Sequence, residues 1–185
     1  ALTPEGEAYC WGAGANGRTG IGSEDTVRVP TAVATNERFA SISPSRYHTC
    51  AVTIDGRGFC WGSNGRGKVG TGNTSATANP FPLEVVGGHL FAQVAAGADH
   101  SCGVTLEGKV YCWGNAGSGR LGDGGVSGNT GTPVQTYGMP AVAFDWAPQS
   151  CDADAGAGCF QRRTFHDHVL LALGRSPAYF VLDLS

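Results

Sequence analysis

Residues 48–62 read HTCAVTIDGRGFCWG, and residues 100–114 read HSCGVTLEGKVYCWG. Each string holds two cysteines either side of an acidic residue followed by glycine. If Cys50 and Cys60 lie directly opposite each other on antiparallel strands, Thr53 faces Arg57 and the loop is Ile54-Asp55-Gly56. Three-residue hairpin loops place a left-handed residue third, where glycine has no Cβ to clash. The second copy gives Leu106-Glu107-Gly108 in the same register. A first copy, Pro4-Glu5-Gly6, puts proline where such a turn wants φ near −65°. Opposed residues have Cα separations of roughly 4.5–5.5 Å, a span a disulfide tolerates. The spacing therefore predicts cross-strand bonds Cys50–Cys60 and Cys102–Cys112, each removing about 2–3 kcal/mol of unfolded-state entropy.

A zinc reading of His48, Cys50 and Cys60 is the alternative, since residues i and i+2 share a strand face. It lacks the short Cys-x2–4-Cys knuckle and a fourth ligand, so the disulfide is preferred. Seven cysteines at these spacings point to an oxidising compartment, extracellular, periplasmic or at the cell surface. Ala1 aligns with Ala51, which puts the partner of Cys10 one residue before the first. The sequence is expected to start in mid-hairpin, as a piece of a longer chain with a cysteine directly upstream.

The hairpin belongs to a longer period. Cys-Trp-Gly occurs at Cys10, Cys60 and Cys112. Glycines keep phase with each Trp (Gly17, Gly20, Gly22; Gly67, Gly70, Gly72; Gly119, Gly122, Gly124), as do Pro30, Pro80 and Pro133, then Phe39, Phe91 and Phe144. Short alternating runs with turns between them, and no helical period in the first 140 residues, read as strands. A period near 50 built of short antiparallel strands predicts an all-β chain of four-stranded β-propeller blades. Three phased repeats occupy 1–145. A divergent partial repeat with an insertion occupies 146–185, where Cys151 and Cys159 are expected to staple the insertion and His168-Val-Leu-Leu-Ala-Leu echoes the His-x-Cys-x-Val strand.

Composition agrees with many short strands: glycine is 30 of 185 residues and charged residues only 15%. The net charge is −3 and the Lys and Arg residues are scattered singly, which argues against nucleic acid as a partner. No apolar run approaches the roughly eighteen residues that span a bilayer, VLLAL at 169–173 being far too short.

The string W-G-x-x-x-x-G-[RK]-x-G, then a proline-containing stretch, Phe and A-G-x-x-H-x-C, resembles the regulator of chromosome condensation repeat over residues 1 to about 145. The resemblance implies a seven-bladed propeller, of which this chain would form about three and a half blades, with the remainder of the same propeller lying elsewhere. Where the family commonly has Gln, this chain has Arg18, Lys68 and Arg120; where it usually has glycine before the histidine, the first unit has Ser45 while the second keeps Gly97. The cysteine pairs are not a feature of nuclear members and look like those of secreted bacterial relatives.

Little in the sequence speaks for catalysis. Gly12-Ala-Gly14-Ala-Asn-Gly17 matches a dinucleotide fingerprint without a following helix, and the repeat explains its glycines. Asp152-Ala-Asp154-Ala-Gly156 lacks the closing Glu of a calcium loop, and Asn73-Thr-Ser75 is a formal glycosylation sequon. His48 and His100 recur at one repeat position, which favours a structural hydrogen-bonding role; His166 and His168 fall outside the repeat. No Ser/His/Asp trio or carboxylate pair can be assembled. No cofactor and no catalytic residue are expected. The reading is a non-catalytic interaction module presenting variable loops to a protein partner, with contacts at Arg46, Tyr47 and Asp99 in the turns before the histidines. Trp146, out of phase with the packing tryptophans Trp11, Trp61 and Trp113, is a further candidate anchor. The resemblance leaves two alternatives: nucleotide exchange on a small GTPase, and inhibition of a secreted hydrolase.

Overall fold

A computed structural model of the chain describes residues 1–125 and 128–139. The segment 146–185 lies outside the described residues, and with it the expected Cys151–Cys159 staple, Trp146, His166, His168 and the boundary at 145/146. Among the described residues ten strands follow in order: β1 Tyr9–Gly12, β2 Val27–Ala32, β3 Phe39–Pro44, β4 His48–Thr53, β5 Gly58–Ser63, β6 Ala78–Glu84, β7 Phe91–Ala96, β8 His100–Thr105, β9 Val110–Gly114 and β10 Thr130–Gln135.

β4 and β5 pair with Cys50 opposite Cys60, and β8 and β9 with Cys102 opposite Cys112. Thr53 N–H donates to Arg57 O at 2.9 Å and Thr105 N–H to Lys109 O at 2.8 Å, closing three-residue loops. Their third residues, Gly56 and Gly108, have φ of 93° and 78°, the left-handed conformation the turn requires. Because Thr53 and Arg57 form a hydrogen-bonded pair, alternation makes Cys50 and Cys60 a closer, non-hydrogen-bonded one. Their Cα atoms are 4.1 Å apart, and those of Cys102 and Cys112 4.0 Å, with the sulfurs at bonding distance in both hairpins. The first hairpin keeps the register: Leu2 bridges Ala8, and Ala1 and Tyr9 exchange backbone bonds.

The second and third repeats are four-stranded antiparallel sheets in the orders β3-β4-β5-β6 and β7-β8-β9-β10, while the first has β1 and β2. β7 packs on β3 and β4 of the sheet before it. The sequence shows no helical period, yet each repeat contains a 3-10 turn, at Ala15–Gly17, Gly65–Gly67 and Gly117–Gly119. The first of these reaches forward onto β5 and β6, the second onto β9 and β10.

The apolar core is not one cluster but a series of layers between consecutive sheets. Ala8, Val33, Phe39, Ala51, Phe59 and Trp61 pack between the first two repeats. Cys50, Val52, Cys60, Val69, Val85, Phe91, Val94 and Trp113 pack between the second and third. One face of the β4–β5 hairpin thus carries the sulfurs toward the following sheet while the other carries Ala51, Phe59 and Trp61 toward the preceding one. A Cβ on Gly70 would stand 2.8 Å from Trp113 Nε1, so only glycine lets that indole close on the sheet before it. Gly20 plays the same part for Trp61, at 2.6 Å. Trp61 and Trp113 are fully buried; Trp11, on the equivalent face of the first repeat, is 52% exposed. Among the described residues no sheet precedes the first repeat, so Trp11 lacks the neighbour that buries the other two.

Candidate functional site

The turns before the histidines lie at one end of the sheets. Ser45 N–H donates to His48 O and Gly97 N–H to His100 O, each at 2.9 Å, which fixes the same tight turn in both repeats. His48 then projects between the second and third sheets. Its Nε2 is 2.7 Å from Ser101 Oγ and its Nδ1 3.1 Å from Ser45 Oγ. Ser101 Oγ donates to Lys68 O at 2.9 Å, and Trp113 Nε1 donates to the same carbonyl at 3.0 Å. With the one Ser101 proton committed to that carbonyl, neutral His48 carries its proton on Nε2 and donates it to Ser101, while the one Ser45 hydroxyl proton is divided between Nδ1 and the His48 carbonyl, 2.9 Å away. Burial holds the imidazole neutral, its pKa pushed down to about 3, with the nearby charges of Lys68 and His100 acting the same way. Ser45, the departure from the usual glycine, thus supplies a hydroxyl that Gly97 cannot supply to His100.

Sequence reasoning found no Ser/His combination because Ser101 and His48 belong to different repeats. The structure brings them together, yet both side chains are fully buried and the hydroxyl proton points at a backbone carbonyl. The pair is a structural seam between sheets, closed to any substrate. At the previous junction Thr49, in phase with Ser101, donates to the carbonyl of Arg18, in phase with Lys68, at 3.0 Å. Metal binding does not fit the β4–β5 hairpin: both His48 nitrogens meet serine hydroxyls, and Cys50 and Cys60 face each other at bonding distance. The Gly12–Gly17 loop runs into a 3-10 turn against the next sheet, with no helix to hold a pyrophosphate. Asn73 of the sequon accepts from Asn64 Nδ2 at 2.9 Å and from Ser75 Oγ at 2.7 Å.

Above the seam, three candidates that the sequence placed in two different turns come together. Arg46 stacks over the Tyr47 ring at 5.1 Å, and Lys68 Nζ lies 4.8 Å from the same ring. Lys68 Nζ also donates to Asp99 Oδ1 at 2.7 Å, while Arg66 Nη1 is 3.5 Å from Asp99 Oδ2. Arg18 Nη1 donates to the backbone carbonyl of Arg46 at 2.7 Å. The hydrogen bond from Lys68, with Arg66 and Arg120 near by, holds the Asp99 carboxyl below the usual range. Lys68 is the hinge of the arrangement: its side chain is only 5% exposed, whereas Asp99 is 36% exposed. Tyr47 and Asp99 therefore join neighbouring blades as well as facing outward.

Two members of this cluster were not singled out as contacts from the sequence. Lys68 stood out only as a replacement for Gln. Arg66 had one usable signal, its place between Gly65 and Gly67 at a loop tip, where it adopts a left-handed φ of 66°; Asn16 and Ser118 do the same in phase, both at 61°. Strained non-glycine positions of this kind gather at functional loops. The expectation that cations are scattered holds along the chain but not in space, because the turns and the glycine-rich loops of successive sheets share one end. Two hollows lie at the opposite end. One of about 330 Å³ is bounded by residues 7–9 and 35–38, and one of about 240 Å³ by His89, Leu90, Leu106 and Tyr111.

Comparison with known proteins now decides the family. The Regulator of chromosome condensation (RCC1) repeat matches residues 5–52 and 55–104, and a second description of that repeat matches 39–68 and 91–120. The chain belongs to the regulator of chromosome condensation repeat family. The E3 ubiquitin-protein ligase HERC2 of Homo sapiens is 36% identical over 126 residues, covering 66% of this chain and 3% of HERC2. The Ultraviolet-B receptor UVR8 of Arabidopsis thaliana is 35% identical over 126 residues, covering 67% of this chain and 29% of UVR8. Among solved structures, Prp20p from Saccharomyces cerevisiae, described with its binding properties to Gsp1p and histones, superposes with a TM-score of 0.63 at 27% identity, over 73% of this chain and 35% of Prp20p. The repeat-family chain thus spans about a third or less of each of these relatives, and its sheets are blades of the β-propeller kind.

Proposed function

We propose that this repeat-family chain is a non-catalytic protein-interaction module. Its contact surface is the blade end carrying Arg46, Tyr47, Arg66 and Asp99, and it works outside the cytoplasm. The observation that carries the reading is the junction at Lys68, where side chains from loops of two successive blades form one continuous surface on a rigid repeated frame. Prp20p, a structural relative, is described as binding Gsp1p and histones, which are proteins. Cysteine pairs at bonding distance in both complete hairpins favour an oxidising compartment.

The experiment is site-specific photo-crosslinking in the secreted fraction of the source cells, with the reactive side chain at position 46 or, at the opposite end, at position 107. A discrete adduct from position 46 and none from 107 is expected. Adducts from 107 alone, or from neither position, remove the assignment. Resemblance to the regulator of chromosome condensation family keeps one second reading, exchange-factor activity on a small GTPase. A nucleotide-release assay separates the two, and no acceleration is expected.

A further inference from the structure

The two ends of the blades treat their cations differently. At the end away from the pre-histidine turns, every cation of the described residues has a carboxylate. Arg38 meets Glu7 at 3.2 Å, Arg57 meets Asp55 at 3.0 Å and Glu84 at 3.6 Å, and Lys109 meets Glu107 at 3.0 Å. At the other end Lys68 and Arg66 share the single carboxylate of Asp99. Arg18, Arg28, Arg46 and Arg120 have no carboxylate within salt-bridge distance among the described residues. Arg18 instead donates to the carbonyls of Ala15 and Arg46, and Arg46 lies on Tyr47. Glu24, an acid of the first of these loops, accepts from the backbone N–H of Asn16 at 2.9 Å.

Resting on the reading that this end is the contact surface, we infer that its partner is a carboxylate-rich, acidic protein segment bound by the guanidinium groups of Arg46, Arg18 and Arg120. The planar fork of a guanidinium matches a carboxylate in a bidentate pair, which a Lys ammonium cannot reproduce. Stacking on Tyr47 restricts Arg46 before any partner arrives, which lowers the ordering cost of binding. Arg18 and Arg120 stand at one repeat position in the first and third loops, with Lys68 at that position between them, so Arg18, Arg46 and Arg120 offer one free guanidinium from each of three consecutive repeats. A nucleic acid fits less well. Its phosphates form an unbroken anionic track, and Asp99 interrupts the cationic path between Lys68 and Arg66.

The test uses the full chain and a fluorescein-labelled peptide of alternating Glu and Ser, followed by anisotropy at low and at physiological ionic strength. Arg46→Glu/Arg120→Glu is compared with Arg38→Glu/Lys109→Glu, which makes the same change in net charge at the other end. The inference predicts peptide binding that weakens with salt, falls at least about ten-fold in the first variant and is unchanged in the second. Among the described residues neither Arg46 nor Arg120 makes a salt bridge, but Arg120 lies near Asp99, so a melting curve checks that the first variant keeps its fold, and Arg46→Gln/Arg120→Gln, which puts no new acid beside Asp99, should melt as the parent does and lose binding in the same direction. No peptide binding by the parent, equal loss in both variants, or stronger competition by duplex DNA than by unlabelled peptide would overturn it. If position 46 still crosslinks a partner while the peptide ignores this end, the acidic inference fails and the contact surface stands. If crosslinking moves to position 107, the surface assignment itself has failed.

Discussion

His48 sits neutral between two serine hydroxyls, and its charge state couples the blade junction to pH. Its pKa is about 3 in the fold against an ordinary value of 6.5, so between those values the unfolded chain binds the extra proton. Stability contributed by the neutral ring is complete above pH 6.5 and is lost as pH falls toward 3, with a slope approaching about 1.4 kcal/mol per pH unit. His100, also lowered by burial, acts with the same sign, and Asp99 adds its own loss only as its carboxyl protonates below the ordinary carboxylate range. Urea midpoints should therefore fall across this window, and His48→Gln should flatten the profile; an unchanged slope in that variant would show that another group titrates. Asp99→Asn leaves Lys68 without its anion. It should cost about 2 kcal/mol, less than a fully buried pair because Asp99 is partly exposed, and Lys68→Met in the same chain should recover most of it. For the same reason Asp99 variants test stability and binding together, and Arg46 is the cleaner probe of binding. Arg46, Tyr47 and Asp99 could be picked from the sequence because they occupy the turns that vary between copies. Their union through Lys68 could not, since Lys68 and Asp99 are 31 residues apart and belong to different sheets.

At the scale of single elements, the hairpins were the most legible part of the chain. A three-residue loop with glycine third admits one register, and three loops agreed on it, so opposed cysteines followed from local chemistry alone. The 3-10 turns were not legible, because a three-residue turn has no period to detect and its centre is a left-handed Asn16, Arg66 or Ser118 rather than glycine. Bulges in β6 between Asn79 and Leu83 and in β10 between Thr130 and Val134 escaped notice for a related reason: two extra residues on one strand leave no period to detect. Replacing Cys50 and Cys60 together by Ala should lower stability by about 2–3 kcal/mol through loop closure, with a further packing loss because both sulfurs are fully buried between sheets. The urea midpoint of the oxidised parent against the variant measures this, and equal midpoints would mean that the bond contributes nothing.

Across the whole molecule, stability resides between sheets rather than within them, as expected of a stack whose units contact only their neighbours. Periodicity showed which positions match from copy to copy. It did not show that Trp61 and Trp113 turn toward the preceding sheet, because phase carries no information on how one unit is rotated against the next. Trp113→Ala should cost about 3–5 kcal/mol, while Trp11→Ala, half exposed at the first face, should cost much less, on the order of 1 kcal/mol; thermal melts of the two variants compare them. The fold is a run of successive antiparallel sheets, the second and third held in register by sulfur across their hairpins. Peptide mapping of the unreduced chain tests this most directly: it should yield one fragment joining Cys50 to Cys60 and another joining Cys102 to Cys112. A fragment joining Cys50 to Cys102, or recovery of these four cysteines as free thiols, would contradict it.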